Sequence, residues 1–206
     1  MEKFLTLTSL AAPLDRSNVD TDQIIPKQFL KRIERTGYGD FLFFDWRQSA
    51  EGALISDFVL NDERYQGAQI LIAGKNFACG SSREHAAWAL SDYGFRVVIA
   101  PTFADIFFSN AGKNGIVLVR LSEDKVDVLM QRAQSLSHYK LTVSLEGQMV
   151  TDSLGFQGSF EIDPFRKFCL LEGLDDIGLT LRHAAALDAF EKKHGAAGWL
   201  KPKSSF

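Results

Sequence analysis

Three times between Ala68 and Ser135 an apolar run without polar alternation gives way to a helical pattern. ILIAG (Ile70 to Gly74) precedes REHAAWALSDYG (Arg83 to Gly94). RVVIAP (Arg96 to Pro101) precedes FADIFFSNAG (Phe103 to Gly112), and GIVLVRL (Gly115 to Leu121) precedes SEDKVDVLMQRAQS (Ser122 to Ser135). A strand apolar on both faces must be covered on both. Short β-branched runs separated by helices therefore predict parallel βαβ units.

The flanks are of another kind. Alternation through Phe4, Leu5, Thr6, Leu7 and Thr8 predicts a first strand, followed by the polar turn DRSNVDTDQIIP (Asp15 to Pro26). Lys27 to Arg35 is a basic helical stretch, and TGYGDFLFFDWR (Thr36 to Arg47) is dense in aromatics. Phe41, Phe43, Phe44 and Trp46 read as core by default, though such a cluster also suits a partner interface. YKLTVSL and MVTDS around Glu146-Gly147-Gln148 predict a hairpin, with a further strand near Phe156 to Ile162. Pro164 opens a short helix that Gly173 ends, and a last amphipathic helix, Asp175 to Gly195, is capped by that glycine. Without repeats or a composition shift, residues 1–200 read as one α/β domain, parallel βαβ units with antiparallel edge additions, and 201–206 as a frayed tail.

Composition excludes several classes. A net charge of −3 argues against a nucleic-acid surface. No apolar run has the length to span a bilayer, and the N-terminus lacks the pattern of a signal peptide. Two cysteines, Cys79 and Cys169, make no disulfide framework and fit a reducing cytoplasm. They are also too few to hold an iron–sulfur cluster or structural zinc.

The first strand-to-helix junction of the series carries the chemistry: Cys79-Gly80-Ser81-Ser82-Arg83-Glu84-His85. Helix-start N–H groups at the end of a sheet favour anions, and two hydroxyls with a guanidinium suit carboxylates or phosphates. The glycine spacing fails a phosphate loop, no G-x-G-x-x-G is present, and neither serine has the flanking glycines of a hydrolase elbow. Ser81 and Glu84 also fit a capping box, which leaves Arg83 and Ser82 unexplained. Cys79 beside a helix start would have a lowered thiol pKa, yet a half-buried turn residue is the simpler reading. His85 reads as a core histidine, Cys169 as core, and His138, His183 and His194 show no ligand spacing. Asp20 and Asp22 in this polar turn read as caps, with a metal-binding or acid–base pair as the functional alternative.

VDTDQIIP (Val19 to Pro26), NFACGSSREHAAWAL (Asn76 to Leu90), PTFADIFFSNAGKNG (Pro101 to Gly115) and FCLLEGLDDIGLTL (Phe168 to Leu181) together resemble the swivel domain of the aconitase superfamily. Within it, they resemble the small-subunit family of 3-isopropylmalate dehydratase, nearly end to end. The resemblance implies a swivel-type β/β/α fold and a hydro-lyase that isomerises 2-isopropylmalate to 3-isopropylmalate in leucine biosynthesis. It implies a separate large subunit with a [4Fe-4S] cluster, a dicarboxylate substrate, and no cofactor or metal on this chain. Ser81 matches the family's base, Ser82 and Arg83 its carboxylate binders, and Asp22 an active-site aspartate in a Thr-Asp motif, with Thr21 beside the substrate. The specificity loop falls within Leu30 to Asp40. Ala78 departs from the pattern, where glycine is more usual. Homoaconitate or citraconate are alternative substrates. A non-catalytic carboxylate-binding module and a serine hydrolase are alternatives of other classes.

Overall fold

The three apolar runs become parallel strands whose side chains divide between two cores. In the computed structural model, which describes residues 1–31, 36–80 and 83–196, β1 (Thr6–Leu14) lies parallel to β2 (Ile70–Ala73). β3 (Val97–Ala100) and β4 (Val117–Arg120) continue the parallel set. Leu71, Ala73, Val98 and Ala100 face one core, and Ile70, Ile72, Val97 and Ile99 face the other. Both faces are buried, which is why the strands carry no polar alternation.

The antiparallel part grows from the other edge of β1. β5 (Lys140–Ser144) pairs with β1, β6 (Met149–Thr151) with β5, and β7 (Gln157–Ser159) with β6. Among the described residues these seven strands form one sheet in the order β4-β3-β2-β1-β5-β6-β7. The strand at the centre, β1, is longer than the alternation of Phe4 to Thr8 suggested, because its second half is buried on both sides. The first core takes α3 (His85–Tyr93) and α4 (Asp105–Lys113). The second takes α5 (Glu123–Ser135), which buries Val126, Leu129, Met130 and Ala133, and Leu170 of α6 (Pro164–Glu172).

The aromatic segment is core. Tyr38 and Phe43 are fully buried, Phe29 stacks on Phe41 at 4.1 Å, and Phe43 on Trp46 at 5.4 Å. These rings anchor the 3-10 turn Lys27–Lys31 and the short α2 (Phe44–Arg47) beside the ends of the parallel strands. The remainder of the predicted basic stretch, 32–35, lies outside the described residues, as does the tail 201–206.

One expected element divides. The last amphipathic helix is two, α7 (Asp176–Leu181) and α8 (Ala184–Ala196), and α8 runs past Gly195 rather than being capped by it. Ile177, Leu181, Leu187 and Phe190 are all exposed, so no buried stripe holds the segment to one axis.

Candidate active site

The site forms where the loops after β1, β2 and β3 meet at the carboxyl ends of parallel strands, the place where open α/β sheets bind ligands. The loops are stitched by main-chain bonds. Thr21 N donates to Cys79 O (2.9 Å), Cys79 N to Val19 O (3.0 Å), and Phe77 N to Thr102 O (3.0 Å). Asn76 closes the seam, its Nδ2 donating to Asn18 Oδ1 at 2.8 Å and its N to Thr102 Oγ1 at 2.8 Å.

The seam demands unusual backbone. Asn18, Asn76 and Ala78 have φ of 56°, 57° and 58°, and Gly80 has 92°. Asparagine visits this region readily. Alanine does so at a cost of roughly 1 kcal/mol. That explains why glycine suits position 78 better. At Gly80 a Cβ would also come within 3.1 Å of Asp20 Oδ2.

The two aspartates of the polar turn divide their work. Asp20 caps α1 (Thr21–Ile24): its carboxylate accepts from Asp22 N, and Gln23 Oε1 accepts from Asp20 N at 2.9 Å, completing a capping box. Asp22 is thereby left for the site. Ile24 and Ile25, both fully buried, pin the turn, and Thr21 is fully buried beneath it.

Asp22 meets two cations from two loops. Its Oδ1 forms an ion pair with Arg83 Nη1, and its Oδ2 lies 3.0 Å from Lys27 Nζ. Asp22 Oδ1 and Arg83 Nη1 are buried and, among the described residues, have no hydrogen-bond partner beyond this ion pair. Asp22 and Arg83 are thus brought together, while Ser81 and Ser82 lie outside the described residues. Lys27 escapes sequence reasoning. One lysine after Ile-Ile-Pro carries no motif, and only the fold sets it against Asp22.

The neighbours hold their charge away from this pair. Glu84, expected to complete a capping box, is the N-cap of α3 without a side-chain cap bond. Its Oε1 instead accepts from Asn114 Nδ2 at 3.2 Å, and the helix starts at His85 rather than at Arg83. Burial, then the Arg83 charge, hold the His85 imidazole below its ordinary pKa against the pull of Glu84. Its ring sits 4.7 Å from Trp88 and 5.3 Å from Tyr38.

Cys79 corrects an expectation. Its thiol pKa is raised, by burial first and by the Asp20 carboxylate second, and its Sγ lies 3.4 Å from Asn18 O. It is the half-buried turn residue of the simpler reading, with its pKa moved away from, not toward, the thiolate. Cys169 is buried in α6. Among the described residues no group of three or more His, Cys, Asp or Glu side chains could hold a metal ion.

Comparison with known proteins fits this layout. A family described as the aconitase C-terminal domain matches residues 1–124, and one described as the C-terminal domain of the 3-isopropylmalate dehydratase small subunit matches 176–203. The 3-isopropylmalate dehydratase small subunit of Acidobacterium capsulatum is 66% identical over 203 residues, 98% of this chain and 96% of the relative. The chain belongs to the 3-isopropylmalate dehydratase small-subunit family. Its members from Koribacter versatilis (58%, 94% of this chain and all of the relative) and Brevibacillus brevis (55%, likewise 94% and 100%) agree. A crystal structure of 3-isopropylmalate dehydratase from Methanocaldococcus jannaschii superposes with a TM-score of 0.65 at 20% identity. It covers 90% of this chain and 99% of that one, and so shares the fold. Small-subunit membership implies a larger partner, and no helix among the described residues is long and apolar enough to cross a membrane.

Proposed function

We propose that this chain is the base-bearing half of a cytoplasmic isomerase that interconverts 2-isopropylmalate and 3-isopropylmalate in leucine biosynthesis. The carrying observation is the Asp22–Arg83 pair, set next to the Ser81-Ser82 segment in a chain of this family. Residues 1–200 act as one swivel-type unit, completed by a large subunit that holds the [4Fe-4S] cluster. When bound there, the cluster supplies a Lewis acid for the substrate hydroxyl.

This chain's share is deprotonation and grip. Arg83 offers a planar fork to one substrate carboxylate, with Ser82 beside it. Ser81, as alkoxide, takes the proton from the carbon next to a carboxylate. The C–H electron pair becomes the new alkene bond as the hydroxyl departs to the partner subunit's Lewis acid. On rehydration the hydroxyl adds to the carbon that gave up the proton, and the proton goes from Ser81 to the carbon that lost the hydroxyl. A serine alkoxide needs stabilising, and the positive N-terminal end of α3 with Arg83 supplies the field. Asp22 holds Arg83 in place; Thr21, expected beside the substrate, is fully buried and so fixes the turn that carries Asp22 instead of touching substrate.

The test is reconstitution. The chain alone is expected to be inactive and to gain isopropylmalate isomerase activity with a cluster-loaded large subunit. Ser81→Ala should keep assembly and substrate binding while turnover falls about 10³-fold or more. Activity of the isolated chain, or full turnover by Ser81→Ala, would overturn the reading. Preference for homoaconitate or citraconate in the assembled enzyme would move the substrate and leave the chemistry.

A further inference from the structure

We propose that Lys27 is a second substrate-carboxylate binder, held against Asp22 until a dicarboxylate arrives. The inference rests on the reading above and extends it to a residue that no motif marks. Asp22 spends one oxygen on Arg83 and the other on Lys27, 3.0 Å from Nζ. One carboxylate thus faces two cations, while Asp20 is turned to the Asp22 N–H as a cap and Glu84, the acid adjacent to Arg83 in sequence, is engaged with Asn114. The more exposed cation, Lys27, suits an incoming anion.

The placement is built. The backbone at Lys27 is fixed on one side by buried Ile24 and Ile25 and by Pro26. On the other side, Phe29 of the same 3-10 turn stacks on Phe41 at 4.1 Å and meets Phe44 edge-on at 4.9 Å. The Lys27 side chain remains 70% exposed, against 23% for Arg83. The guanidinium is thus a fixed fork and the ammonium a mobile point charge that can leave Asp22 for a ligand at little loss, since exposed ion pairs contribute little. Both cations touch the same carboxylate, one on each oxygen, so both face the same site. In this arrangement Arg83 takes one carboxylate and Lys27 the other.

The experiment uses the assembled two-subunit enzyme with Lys27→Met and Lys27→Arg. Wild-type turnover of 2-isopropylmalate is measured first, so that failure of the parent reading is seen separately. Lys27→Met should raise KM about 10- to 100-fold, the range of a charged hydrogen bond, with kcat little changed, and Lys27→Arg should restore most of the loss. The two monoamides of the substrate add a cycle. Wild type should discriminate against the amide that neutralises the Lys27-bound carboxylate, and Lys27→Met should lose that discrimination. An unchanged KM, a fall confined to kcat, or equal discrimination by both enzymes would overturn the proposal.

Discussion

Two carboxylates in this chain each meet an arginine, and they are built in opposite ways. Asp152, in the corner between β6 and β7, has a fully buried side chain saturated with donors. Its Oδ1 accepts from Leu154 N and Phe156 N, each at 2.8 Å, and its Oδ2 from Tyr139 OH and Arg132 Nη1, each at 2.5 Å. Asp22 is one-third exposed, touches Arg83 and Lys27, and neither its Oδ1 nor Arg83 Nη1 has a hydrogen bond among the described residues. A saturated buried pair is difficult to disturb and stabilises the fold. An ion pair whose atoms carry no further hydrogen bond among the described residues can reorganise around a ligand more readily. Saturation, more than the presence of an ion pair, separates Asp152 from Asp22, the aspartate proposed to serve the site.

Removing each aspartate breaks or sharpens that contrast. Asp22→Ala should lower turnover of the assembled enzyme by roughly 10²-fold, by misplacing Arg83, while shifting stability by less than about 1 kcal/mol. Turnover assays and thermal unfolding on the same preparation check both. Asp152→Ala should do the reverse. It should cost about 3 kcal/mol in denaturant unfolding by stranding buried donors, with turnover per folded enzyme unchanged.

The pH dependence of Asp152 gives a finer test. Burial pushes its pKa up, but the bonds from Tyr139, Phe156, Arg132 and Leu154 together bring it below the ordinary value. A depressed carboxylate stabilises the fold above its unfolded pKa of about 4, and that contribution is lost as pH falls through the lower folded value. The stability gap between wild type and Asp152→Asn should therefore narrow as pH drops below about 4, measured by unfolding across pH.

The last two effects are smaller. Cys79, its thiol pKa raised by burial and Asp20, should alkylate more slowly than a free thiol at neutral pH, as timed labelling would show. Ala78→Gly releases a residue at φ 58° and should change stability by at most about 1 kcal/mol, toward greater stability, in thermal unfolding.

Much of this was legible along the chain. The three apolar runs fall on β2, β3 and β4, and the hairpin around Gly147 lies where its turn residues put it. Each depends on side chains a few positions apart. The late start of α3 was not legible, because Glu84 finds its partner in Asn114, thirty residues on. Nor was the break at Arg182 and His183, since the sequence of that segment is amphipathic while its environment is exposed. Position 78 sits between the two. The sequence marked it as a departure, and the left-handed backbone supplied the reason.

By itself the sequence determined the βαβ framework, the antiparallel additions, the anion-suited turn at Cys79 to His85 and the shortage of thiolates for a cluster. Hydrophobic period, turn chemistry and residue counts are local or additive, so they survive without a fold. Only the tertiary structure decided that Asp22 meets Arg83, that Lys27 joins them, and that burial and Asp20 raise the Cys79 thiol pKa. The Arg83 pairing and the Cys79 environment depend on loops about sixty residues apart in sequence meeting at the ends of parallel strands. Electrostatic partnership is fixed by distance and burial, and neither can be read along the chain.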